Sequence, residues 1–91
     1  MRITVKLGST LRAKAPAFVG GEGTLEIPEN GPRTVADVMD TLDIAPGEVN
    51  LIYRNHVAVA PSASVHDGDR VAFFPPNFIH FSQFYLHRVL D

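Results

Sequence analysis

The sequence predicts an α+β fold in which a mixed sheet of four or five strands is covered on one face by a single main helix. Two observations carry this expectation. Strand-like stretches lie at both ends of residues 1–76, and between them stands one stretch with a clear helical stripe. No second helical stretch is available before residue 77, so that one helix must cover the apolar side of the sheet. At 91 residues the core is thin, because a chain of this size buries only roughly 60–65 % of the surface its unfolded form exposes.

Each element follows from its residues. Ile3, Val5 and Leu7 alternate with Arg2, Thr4 and Lys6, the period-two pattern of a half-buried strand. The next stretch, "GSTLRAKAPAFVGGEG", carries turn residues and little periodicity, which predicts a long, mobile connection. In "TLEIP", Leu25 and Ile27 share a face and Pro28 closes the run, so this strand pairs with the first as a hairpin. "TVADVMDTLDI" is the helix. Thr34 suits the N-cap, Asp37 three residues on gives a capping-box variant, and Val35, Val38, Met39 and Leu42 form one stripe. Pro46 and Gly47 end any continuation. "VNLIYRN" is nearly continuous in apolar character and predicts a central strand. Asn55–His56 turn tightly into the short strand "HVAVA", which Pro61 stops. Asp67-Gly68-Asp69 reads as a reverse turn feeding the last strand, "RVAFFP". The order strand, strand, helix, strand, short strand, strand is that of the β-grasp, or ubiquitin-like, arrangement, with the first and last strands side by side at its centre.

Composition narrows the function classes. A net charge of −2 offers no basic field for nucleic acid. The absence of cysteine removes disulfides, thiolate metal sites and cysteine nucleophiles. The opening residues lack the apolar run of a signal peptide, and no run approaches the ~20 residues of a membrane span, so a soluble, cytoplasmic domain is expected.

The segments "TVADVMDTL", "VNLIYRNHVAV" and "VHDGDRVAFFPP" together resemble the small sulfur carriers of the MoaD/ThiS superfamily. The resemblance runs from about Thr24 to Pro76 and is strongest over Val65 to Pro76. It implies a C-terminal Gly-Gly that an activating enzyme adenylates and converts to a thiocarboxylate for molybdopterin or thiamin synthesis. The glycines are required because the tail threads a narrow channel where a Cβ would clash. Here Pro75-Pro76 is followed by Asn77-Phe78-Ile79, and the one adjacent glycine pair, Gly20-Gly21, lies in the early connection. Sulfur transfer is therefore not expected.

The chain thus divides into a β-grasp domain over 1–76 and an amphipathic extension over 77–91. On a helical wheel Phe78, Ile79, Phe81, Tyr85, Leu86, Val89 and Leu90 span a broad arc opposite His80, Gln83, His87 and Asp91. A helix is favoured, with a partner-paired extended segment as the alternative. This tail either packs on its own domain or joins an identical chain or a partner protein. A membrane-surface role has little support, since its polar face carries one arginine and two histidines rather than a row of lysines.

Other residues yield no catalytic or cofactor assignment. His80 and His87 are seven residues apart, about 10 Å along a helix, too far to share a small ion. His66, Asp67 and Asp69 read as a solvated turn rather than a metal site, and Asp37, Asp40 and Asp43 as charges on a solvent-facing helix surface. The expectation is a non-catalytic binding or assembly protein that takes no cofactor or metal and binds neither nucleic acid nor membrane. Its partner-docking residues are Phe73, Phe74, Pro75, Pro76, Phe78, Ile79, Phe81, Tyr85, Leu86 and Val89. The alternatives are a sulfur carrier or small subunit of a molybdopterin-synthase-type system, and a self-associating structural protein.

Overall fold

The computed structural model describes residues 1–31 and 33–76, so the expectations placed on 77–91 lie outside the described residues. Among the described residues five strands and the helix appear in the expected order: β1 (Arg2–Leu7), β2 (Glu22–Glu26), α1 (Val35–Thr41), β3 (Leu51–Arg54), β4 (Val57–Ala58) and β5 (Arg70–Phe74). They form a single sheet in the order β2-β1-β5-β3-β4. β1 and β5 run parallel, with Val5 opposite Val71, and the other pairings are antiparallel. The first and last strands are therefore neighbours at the centre of a ubiquitin-like β-grasp fold, as the element order predicts.

The alternation in β1 and β5 decides which face is covered. Ile3, Val5, Leu7, Val71 and Phe73 are at most 1 % exposed and meet Val35, Val38 and Met39 of α1 in one core. The opposite face of the sheet carries the intervening residues.

Two expectations need correction. The connection after β1 is not a featureless loop. Residues Ser9–Lys14 form a 3-10 helix whose Leu11 is buried, and Phe18 packs against the core with its ring over Gly23, where a Cβ would collide with it. A 3-10 segment of six residues buries one side chain, so no period shows in the sequence. The helix, in turn, stops at Thr41 instead of reaching Ile44. Asp43 adopts φ 58°, and the N–H groups of Asp43 and Ile44 donate to the carbonyls of Asp40 and Met39. That is a Schellman closure with aspartate where glycine is usual, and it turns Ile44 into the core at 2 % exposure.

At its other end α1 is held as expected. Thr34 Oγ1 accepts from the Asp37 N–H while Asp37 Oδ2 accepts from the Thr34 and Arg33 N–H groups, which lowers the Asp37 pKa. The N–H groups of Val35 and Ala36 donate to the carbonyls of Ala63 and Pro61, tying the helix start to the loop after β4. Among the described residues no helix is long and apolar enough to cross a membrane.

Candidate functional site

Strand β5 supplies both faces of the domain at the point where the chain leaves the sheet. Phe73 is fully buried against the core, so its part is to anchor the strand rather than to meet a partner. Arg70, Ala72 and Phe74 face the other way, and Pro75 is buried beside exposed Pro76. Phe78, Ile79, Phe81, Tyr85, Leu86 and Val89 lie outside the described residues.

The register assembles a surface around Phe74. Lys6 of β1 stands beside Ala72, and Ala72 beside Tyr53 of β3. Tyr53 meets Phe74 edge-on, with ring centres 5.9 Å apart and an interplanar angle of 74°, an arrangement that aligns the positive ring edge with the negative ring face. A Cβ on Gly8 would stand 2.5 Å from the Phe74 ring, so the ring lies over bare backbone at the end of β1. With Lys6, Arg70 and His56 these aromatics line a shallow depression of about 340 Å³. Arg70 is paired with Glu22 across β1, and Lys6 Nζ approaches the Gly20 carbonyl at 3.4 Å. The result is an aromatic floor bordered by Lys6 and by the Arg70–Glu22 ion pair, able to hold an apolar side chain.

Beside this border stands Asn55, which the sequence places in a tight turn without revealing its role as a clamp. Asn55 and His56 sit at φ 52° and 71°, the two left-handed positions of a two-residue hairpin turn between β3 and β4. The Asn55 side chain clamps that turn to the start of β5. Its Nδ2 donates to Asp69 Oδ1 at 3.0 Å, and its Oδ1 accepts from the Arg70 N–H at 2.9 Å. Asp69 also accepts from the His66 N–H at 2.8 Å. Burial pushes the Asp69 carboxyl up, but the Asn55 amide, the His66 N–H and the nearby His66 and Arg54 side chains outweigh it and leave its pKa lowered. Asp67 has its own structural task, accepting the Arg2 N–H at 2.7 Å, while Gly68 N–H donates to the Arg2 carbonyl at 2.8 Å. The Asp-Gly-Asp turn is thus a brace between β1, β3 and β5. Among the described residues no three His, Asp or Glu side chains are grouped to hold a metal ion.

The ThiS family model matches residues 10–77. The crystal structure of SAMP1 from Haloferax volcanii is similar with a TM-score of 0.63 at 23 % identity, covering 84 % of this chain and 96 % of that one. A structure of a protein assigned as molybdopterin converting factor subunit 1 from Pyrococcus furiosus is similar with a TM-score of 0.63 at 27 % identity, covering 84 % of this chain and 98 % of that one. No curated protein matches the chain.

Proposed function

This chain belongs to the ThiS family, and on that premise we propose that it is a non-catalytic binding and assembly module in which an adhesive segment replaces the reactive carrier tail. The observation that carries the reading is the sequence after the last strand. Pro75-Pro76 is followed by Asn77-Phe78-Ile79, and residues 77–91 contain no glycine, whereas the activation of a carrier tail requires a backbone free of Cβ atoms. The described surface supports it, because the Tyr53–Phe74 pair borders the exit point of the chain. Phe78, Ile79, Phe81, Tyr85, Leu86 and Val89 follow directly, and each such side chain contributes ~1.5–3 kcal/mol when fully buried against a partner or an identical chain. The test is intact-mass analysis of the chain after incubation with ATP and a ThiS-type activating enzyme. An unchanged mass is the expected result. A C-terminal acyl-adenylate or thiocarboxylate would overturn the reading in favour of a second one, a carrier or small subunit in molybdopterin synthesis. The likeness to the Pyrococcus furiosus protein favours that alternative.

A further inference from the structure

A second concavity lies on the helix side of the sheet. β4, at the edge of the sheet beside β3, holds just two residues. Residues of α1, of its closing turn, of β3 and of the segment after β4 line a groove of about 170 Å³. Met39, Ile44 and Ile52 form its floor, Val59 and Pro61 its outer wall, and Asp40 its rim. A cavity of ~150 Å³ lined by aliphatic side chains takes one benzene ring, and binding pockets for small molecules run from ~300 Å³ upward. The groove has the volume and the lining for one phenyl group and is too small for a cofactor.

Two observations select what fills it. The first is position. Asn50 and Val49 form the near end of the groove, and the Asn50 N–H donates to the Phe74 carbonyl at 2.9 Å, beside the point where the chain leaves the sheet. The second is reach. Phe78 is the first aromatic residue after the strand, three residues beyond buried Pro75.

We propose that this groove is the receptor for the chain's own residues 77–91, and that Phe78 is the ring that fills it. The occupant is the same chain because a short tether gives an effective concentration on the order of millimolar. The inference takes Phe78 out of the set of residues assigned above to a partner, and leaves Phe81, Tyr85 and the open sheet face available to one.

Met1 and Met39 are the two methionines of the chain, so a methyl-labelled sample yields two signals, one of them from the groove floor. A ring stacked over the Met39 methyl shifts its proton resonance upfield. In the full chain the Met39 methyl is expected to show a nuclear Overhauser contact to the Phe78 ring. Its signal should move downfield in Phe78→Leu, with the Met1 signal unmoved and neither dependent on protein concentration. The contact in the unsubstituted chain is informative even if Phe78→Leu unfolds. No contact to Phe78 together with an unmoved Met39 signal would overturn the proposal. A displacement produced by Phe81→Leu instead would overturn it as well, and a concentration-dependent shift would assign the groove to a second copy.

Discussion

At the residue scale, the hairpin turn between β3 and β4 holds two side chains in the left-handed region. Asparagine tolerates that conformation, and Asn55 turns it to use as a clamp. Histidine has no such local compensation, and glycine is the residue a turn of this kind prefers at its second position. His56→Gly is therefore expected to raise stability by about 1 kcal/mol, seen as a higher urea midpoint at unchanged slope. A lower midpoint would show that the imidazole itself contributes packing. The lowered pKa values of Asp37 and Asp69 carry a second expectation. A carboxylate whose folded pKa lies below the ordinary value of 3.8 contributes stability that is present above that pH and is lost as pH falls through the folded value. Acid unfolding should thus set in below about pH 4, and Asp69→Asn should flatten the acid limb in urea titrations repeated at descending pH.

Element by element, α1 is the piece most dependent on its surroundings. Seven residues do not sustain a helix in water by themselves. Its cap and its two bonds to the loop after β4 hold the first turn, while the Schellman closure at Asp43 holds the last. Thr34→Ala is expected to cost about 1 kcal/mol, with the largest loss of hydrogen-exchange protection in α1. On the sheet, the close seat of Phe74 over Gly8 makes the end of β5 sensitive to a single methyl group. Gly8→Ala should displace the ring, weaken the Tyr53–Phe74 pair and cost about 1–3 kcal/mol, as overpacking does. An unchanged near-ultraviolet dichroism of the aromatics would contradict that seat.

For the whole molecule, the five strands and α1 lie between Arg2 and Phe74, with β1 and β5 paired in parallel at the centre of the sheet. A chain ending at Pro76 is expected to unfold cooperatively. Its stability should be lower by about 2 kcal/mol, the value of one phenyl ring withdrawn from the groove. Calorimetry on the two lengths checks this. Equal stabilities would show that residues 77–91 bury nothing on their own domain. A truncated chain without a cooperative transition would show that they belong to its core.

Features that rest on a local period or a local cap were legible in the order of the amino acids. The alternation of Ile3, Val5 and Leu7 located β1, and the stripe from Val35 to Met39 with Thr34 before it located α1, whereas the sequence left both Phe73 and Phe74 as docking residues and the burial of β5 separated them. The ThiS-like core is legible there as well, in the motifs that end at Pro76. Tertiary structure alone decided the features that join distant segments. Leu11 and Phe18 are core residues because β2 and the sheet pass over them, and no repeat in their own stretch announces it. Asp67 and Asp69 turned from a solvated loop into a brace because register brings Arg2 and Asn55 to them, 65 and 14 residues away in the chain. The helix-side groove joins residues of α1, β3 and the segment after β4, from Ala36 to Pro61, which no local pattern brings together. A period records which side of one element is buried. Clamps, braces and grooves depend on which elements meet and in what register, and that is settled by packing across the whole chain.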